Sequence, residues 1–401
     1  MSFSRASIID HLAPSPSPSV NRSQLEALYA KWLASDRSSL SVLEAPALAA
    51  IHIDHSTPLL LLGASNGYGQ HFIKQVIADY HVVGIVDNYR IGENFCGKII
   101  KHDDDVPALI PAHRGLIAVN LTVGQTGTRH YEFLCRRLGI PCLSLMQALR
   151  KTGRRAVHFS MENLSEVALA NFEQIMEASS LYADELSRQT LCALMLYRFT
   201  LDGAHLDSVN MGNDDLIVCP SLVALHDDEV FVDGGAFTGD TIDRFLGQTG
   251  GWYRKIHAFE PDPENYNALV RHTRSMRDVR VLQKGLHSAT STLRFSNMSS
   301  PGSHVDSAGN DSIETVALDE MMDDAVSFIK LNIEGSEVPA LHGARGHLNR
   351  SRPRIALSAD HFGDDLSTIP RALLEIEGSY KVYLRHHSHL PFGIYIYAVP
   401  G

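Results

Sequence analysis

Apolar positions along the chain fall into short runs separated by stretches with helical spacing, and this alternation sets the expected fold. Leu59–Leu62, Val82–Val86 and 116–121 read as buried strands; the first leads into a glycine turn at 63–69 and a helical pattern through Phe72, Val76 and Ile77. Strand and helix in alternation predict a small Rossmann-like α/β domain over residues 55–150. A second series predicts strands at 229–232, 255–259, 279–282, 327–332, 354–358, 381–384 and 394–399, a doubly wound count, within 228–401. Between the two, 163–200 is helical and partly polar, and reads as a connector within 151–227 packed against the second α/β domain. Within residues 1–54, the first 22 include Pro-Ser-Pro-Ser-Pro-Ser, irregular because proline fixes φ and lacks a donor, and an amphipathic helix follows through Leu25, Leu28, Tyr29 and Leu33. The polar, turn-rich stretch 297–312 reads as a loop, either closing over a substrate or solvated.

Composition narrows the class. The 401 residues suit two or three domains, and 44% hydrophobic with 20% charged residues is ordinary for a soluble globular chain. A net charge of −11 and no Lys/Arg cluster exclude the basic face that a nucleic acid or an anionic membrane requires. Cys96, Cys135, Cys142, Cys192 and Cys219 are odd in number and lack a Cys-x-x-Cys pair, so reduced thiols and a cytoplasmic location are expected. Neither a signal segment nor an apolar run approaching about 20 residues is present, so secretion and membrane insertion are not expected. The sequence leaves a homo-oligomer open.

The most informative chemistry lies at 230–241, Val-Phe-Val-Asp-Gly-Gly-Ala-Phe-Thr-Gly-Asp-Thr, followed by Ala-Phe-Glu-Pro-Asp at 258–262. An apolar run, an acid, a glycine turn and a helix start present backbone to a nucleotide-like cofactor, with Gly234, Gly235 and Gly239 leaving room for close approach. Glu260 ends the next run, 21 residues after Gly239, where a carboxylate accepts hydrogen bonds from ribose hydroxyls. The turn departs from Gly-x-Gly-x-x-Gly, and Asp233 and Asp240 flank it. Two carboxylates repel a pyrophosphate and suit a cation, which points to S-adenosyl-L-methionine, with its sulfonium and ammonium. An ordinary strand-to-helix turn is the alternative. The turn at 63–69 has Asp87 18 residues beyond Gly69 and reads equally as a nucleotide site or a plain connection. The stretch 87–97 loosely resembles the N-terminal half-domain of some sugar acyltransferases, which hold a nucleotide-sugar.

Four stretches, Val-Asp-Gly-Gly-Ala-Phe-Thr-Gly-Asp (232–240), Ala-Phe-Glu-Pro-Asp (258–262), Phe-Ile-Lys-Leu-Asn-Ile-Glu-Gly-Ser-Glu (328–337) and Leu-Arg-His-His (384–387), resemble the FkbM-type family of S-adenosylmethionine-dependent methyltransferases in order and spacing. The likeness runs from about Asp184 to the C-terminus, and longer members also carry an N-terminal α/β domain. It implies a class I methyltransferase-like doubly wound sheet, preceded by the smaller Rossmann-like domain and the helical connector. The family usually has Asp where this chain has Asn332; an amide hydrogen-bonds but cannot act as a base.

On this reading Asp233, Gly234, Gly235, Ala236, Phe237, Thr238, Gly239, Asp240, Glu260 and Pro261 surround the cofactor, with Lys284 and Gly285 near the adenine and Asn332 near the methionine end. An alcohol acceptor needs a base as its oxygen attacks. Lys330, Asn332 and Glu334 share one face of a strand, so Lys330 is expected to steady a developing oxyanion and Glu334 or His361 to take the proton; a structural ion pair is the alternative. The resembling family also has a histidine at the place of His361. Glu337, Arg385 and His386 are expected around a hydroxylated small-molecule acceptor, Glu337 alternatively favouring a helix N-terminus. The cluster Arg385, His386, His387 and His389 lacks metal-ligand spacing, and no metal is expected. Two other classes stay open: a non-catalytic protein that binds S-adenosylmethionine or a nucleotide-sugar, favoured by Asn332, and a nicotinamide oxidoreductase using the first turn.

Overall fold

The computed structural model describes residues 22–35, 40–156, 161, 163–212, 219–296, 304–305 and 311–401. The proline-rich lead-in and most of 297–310 lie outside them. Strands β1 (Leu59–Leu62), β2 (Val82–Val86), β3 (Asn94–Phe95), β4 (Lys98–Lys101), β5 (Ile117–Asn120) and β6 (Cys142–Ser144) form one sheet in the order β3-β4-β2-β1-β5-β6. All but β3 run parallel. Every residue of β1 and β5 is buried, because helices cover both faces of a parallel sheet and remove the alternation of a half-exposed strand.

The connecting segment is a core element rather than a linker. Helix Glu185–Thr200 starts on Asp184, whose Oδ1 accepts from the Ser187 amide at 2.9 Å, and every residue from Thr190 to Thr200 is buried. Its exposed positions lie at the N-terminal end, while polar Arg198 and Thr200 near its C-terminal end are buried. Helix Arg22–Leu33 packs against the same region, with Tyr29 stacked on Phe172 at 3.9 Å.

The second sheet contains β7 (Val230–Gly234), β8 (Lys255–Phe259) and β9 (Val279–Leu282). Next come β10 (Gly285–Leu286), β11 (Ser291–Ser296), β12 (His304–Val305) and β13 (Asp311–Val316), which form a small sheet of their own, β10-β13-β11-β12. The expectation of a loop at 297–312 is therefore corrected at its described parts: His304–Val305 pairs with 295–296, and Asp311 with Phe295. Its Ser, Asn and Gly content hid the strand ends. The large sheet continues with β14 (Phe328–Leu331), β15 (Arg354–Ser358), β16 (Tyr380–His386) and β17 (Ile394–Pro400), in the order β16-β17-β15-β14-β7-β8-β9. Only β17 runs antiparallel to its neighbours. The chain leaves β7 toward β8 on one side and returns to β14 on the other, so the C-terminal ends of β7 and β14 flank the topological switch point where doubly wound sheets bind ligands.

Candidate active site

Lys330 and Asp233 face each other across β14 and β7. The Lys330 ammonium donates to Asp233 Oδ1 at 2.9 Å, to the Gly235 carbonyl at 2.8 Å and to the Gly234 carbonyl at 3.2 Å. Both side chains are buried. Burial raises the Asp233 carboxyl, and Lys330 opposes that shift. Two expectations are corrected: Lys330 has no hydrogen left for an oxyanion, and Asp233 lies beneath the turn, neutralised by Lys330, rather than facing a cationic ligand. The glycines also make room for protein first. A Cβ on Gly235, at φ +70°, would stand 2.0 Å from the Asn332 carbonyl oxygen, and one on Gly239, at φ +106°, 2.5 Å from the His272 ring.

Above this clamp lie Phe237, Thr238 and exposed Asp240, with Ala236 buried beneath them. Glu260, just past β8, accepts from the Phe237 amide through Oε2 at 2.9 Å and from the Asp262 amide through Oε1 at 3.0 Å. Each oxygen keeps a further lone pair for a hydroxyl donor. Burial pushes this carboxyl up, and the two amides hold it down. Pro261 and Asn332 are partly exposed, and the Asn332 main-chain N–H donates to the Gly234 carbonyl at 3.1 Å. Lys284 pairs with Glu314 at 2.6 Å, and Gly285 begins β10.

The loop after β14 carries the second half of the site. Glu334 adopts φ +55° and Gly335 φ +93°, a reversal that brings Glu334 Oε2 to 3.5 Å from His361 Nε2. Glu337, at the start of the next helix, lies 3.2 Å from His361 Nδ1 and accepts from the Ile333 amide at 2.8 Å. Burial works against a charge on His361, but Glu337, Asp360 and Glu334 outweigh it and lift the imidazole to about 10. His361 thus sits between carboxylates that favour its protonated form, and the Glu334 side chain beside it is 23% exposed. Asp365 accepts from the His361 and Phe362 amides at 3.0 and 2.7 Å and fixes this loop.

The remaining expected acceptor contacts go elsewhere. Arg385 pairs with Asp184 at 2.6 Å and donates to Ser187 Oγ at 2.9 Å, tying β16 to the start of helix Glu185–Thr200. His386 is fully buried, donates to the Leu390 carbonyl at 2.9 Å, and is pushed down to about 4 by burial. The apolar strand around each consumed the polar signal: both are anchors inside the fold. In the first sheet, Asp87 accepts from the Ala64 amide at 2.6 Å, Ser65 Oγ at 2.7 Å and the Tyr89 amide at 2.9 Å, so this carboxylate closes its own turn. Sequence reasoning missed Asp360 and Asp365, for which the density of acids in 360–365 was the available signal.

Residues 233–383 match the family described as Methyltransferase FkbM domain. No curated protein matches the chain. A solved structure of methyltransferase FkbM from Methylobacillus flagellatus KT is similar at 25% identity and TM-score 0.76, over 94% of this chain and 98% of that one. An rRNA methylase from Streptococcus thermophilus overlaps 44% of this chain and 88% of its own at 12% identity and TM-score 0.30. Aeropyrum pernix fibrillarin, solved with natively bound S-adenosyl-L-methionine, overlaps 46% and 73% at 12% identity and TM-score 0.31. The first likeness covers both large sheets, and the C-terminal one has the class I methyltransferase architecture.

Proposed function

Residues 233–383 are an FkbM-type methyltransferase domain, and from that premise we propose that the protein is an S-adenosylmethionine-dependent O-methyltransferase acting on a hydroxyl of a sugar or specialised small metabolite. The observation that carries this reading is Glu334 beside an imidazolium at the switch point, 3.5 Å from His361 Nε2.

The donor set fits S-adenosylmethionine. Glu260 has lone pairs for two ribose hydroxyls, exposed Asp240 favours a cationic ligand, and the one lysine inside the turn is neutralised by Asp233. Lys284 and Gly285 are assigned to the adenine edge and Asn332 to the methionine end. When bound, the cofactor supplies an electrophilic methyl on sulfur. Glu334 accepts the proton of the acceptor hydroxyl as its oxygen attacks. His361 orients Glu334 through their 3.5 Å contact, and Glu337 faces the imidazole from the other side at 3.2 Å. Glu337 therefore acts on the acceptor only through His361. Because position 332 is an amide, Asn332 orients and does not take a proton.

The test is transfer of label from methyl-labelled S-adenosylmethionine to a panel of hydroxylated small molecules. Glu334→Gln is expected to lower kcat by about 100-fold or more while cofactor affinity by calorimetry stays within about threefold. Glu260→Ala should abolish cofactor binding; unchanged affinity removes that assignment. A protein that binds the cofactor but transfers nothing is the non-catalytic binder that Asn332 favours.

A further inference from the structure

The loops that follow β14 and β15 meet in two adjacent pairs. Glu334 stands 3.5 Å from His361, and the next residues along, Gly335 and Phe362, are in direct contact. The Cδ2–Cε2–Cζ edge of the Phe362 ring occupies the place that a side chain at position 335 would need: a Cβ there would meet these atoms at 3.3, 2.4 and 2.7 Å. Only glycine, at φ +93°, leaves that seat open. The Phe362 backbone is pinned as well, its amide donating to Asp365 Oδ2 at 2.7 Å and its carbonyl accepting from the Asp365 amide at 3.2 Å. Yet Phe362 is 48% exposed, while His361 beside it is buried. A fixed aromatic ring thus rests one edge on the glycine adjoining Glu334 and presents the remainder toward solvent.

The charges around this ring limit what it can receive. Glu334, Asp360 and Asp364 are partly exposed, whereas the cations in contact with the loop, His361 and Arg198, are buried. A phosphate or carboxylate brought to Phe362 would meet like charge before it met either cation. A neutral ring with an apolar C–H face and hydroxyls at its rim suits both neighbours: the face packs on the aromatic ring, and a hydroxyl reaches the carboxylate. Resting on the methyltransferase reading above, we infer that Phe362 is an acceptor-contacting, specificity-determining residue, a stacking platform for an uncharged pyranose whose hydroxyl is presented to Glu334. Gly335 seats the platform, and Asp365 holds it at a fixed height beside the carboxylate.

Three variants of the full chain test this, with methyl-labelled S-adenosylmethionine and methyl α-D-glucopyranoside, methyl α-D-mannopyranoside or methyl α-D-galactopyranoside as acceptor. Phe362→Ala should raise KM about tenfold or more, with kcat and cofactor affinity by calorimetry within about twofold; Phe362→Tyr should keep KM within about twofold, and Phe362→Leu should behave as Phe362→Ala does. An unchanged KM in Phe362→Ala overturns the contact. A native KM in Phe362→Leu overturns stacking, because an apolar side chain of any shape then suffices. As a competitor of the methylated glycoside, its C6 carboxylate analogue should have an inhibition constant at least about tenfold above the KM, and equal values overturn the exclusion of anions. Methylation of catechol but of none of the three pyranosides, or of no acceptor at all, overturns the pyranose assignment. Intact cofactor binding in that case preserves the methyltransferase reading, whereas a native protein that does not bind S-adenosylmethionine removes the reading itself.

Discussion

The ammonium of Lys330 has three hydrogens and meets three acceptors, so a residue that looks catalytic in the sequence becomes a clamp on the turn. His361 is changed in the same way: carboxylates on both sides favour its protonated form, so a residue that reads as a base from the sequence is held in an ion-paired cluster. Asp365 completes the group. Burial and the charge of Glu337 raise it to about 7, against His361 and the Phe362 amide. An unfolded aspartate titrates near 4, so the folded state binds more protons between about 4 and 7, and the contribution to stability falls as pH rises through that window. Asp365→Asn removes this titration. The melting temperature of the variant, measured relative to the native protein, is therefore expected to rise from pH 4 to pH 7, and a constant difference would contradict the assignment. His361 has the same sign in a higher window: its contribution is complete below about 6.5 and is lost as pH rises through about 10.

At the level of elements, the turn after β7 is shaped from below. Gly235 sits at φ +70° with the Asn332 carbonyl where a Cβ would be, so the turn and the β14 end can approach only with glycine there. Gly235→Ala is expected to separate them, lowering the melting temperature and weakening cofactor binding at least about tenfold by calorimetry, since both the left-handed φ and the clash must be relieved. Unchanged affinity would mean that the turn does not shape the cofactor site. β1, β2 and β5 of the first sheet and the seven strands of the second were legible as apolar runs, because strands buried on two faces need them; the short β3, β4 and β6 were not. The small sheet was not: β11 and β13 meet across a polar segment, and their pairing is a long-range contact without a local apolar signature. Arg385 was misread for a related reason, because its partner Asp184 lies 201 positions away in the chain.

Across the whole molecule, helix Glu185–Thr200 joins what the sequence separates. One continuous core contains Leu59 and Leu61 of the first sheet, Leu191 and Leu194 of this helix, and Val230, Val232 and Leu357 of the second sheet. Arg198, buried and lowered to about 10 by that burial, donates to the Gly363 carbonyl at 2.7 Å, so the helix also holds the loop of His361. Ser165 bonds the Arg198 carbonyl, and Arg150 bonds Ser165, which extends the link to the helix after β6. A shared core predicts cooperative unfolding. Calorimetry of the full chain should give one transition, and residues 228–401 expressed alone should aggregate, because the apolar surface that meets the helix is uncovered. Two separate transitions, or a soluble folded fragment, would show that the two sheets are energetically independent.

Local periodicity and glycine spacing determined the strands of the second large sheet, the order of the two α/β units, the glycine turn after β7 and the acid just past β8, because each of these depends on residues close together in the chain. Tertiary structure decided which lysine and histidine are already paired, and that Tyr68 of the first unit stacks on Phe392 of the second. Charge state and partnership come from groups brought together across tens to hundreds of positions, from Glu337 and His361 to Asp184 and Arg385, so a local pattern shows one member of such a pair without the other.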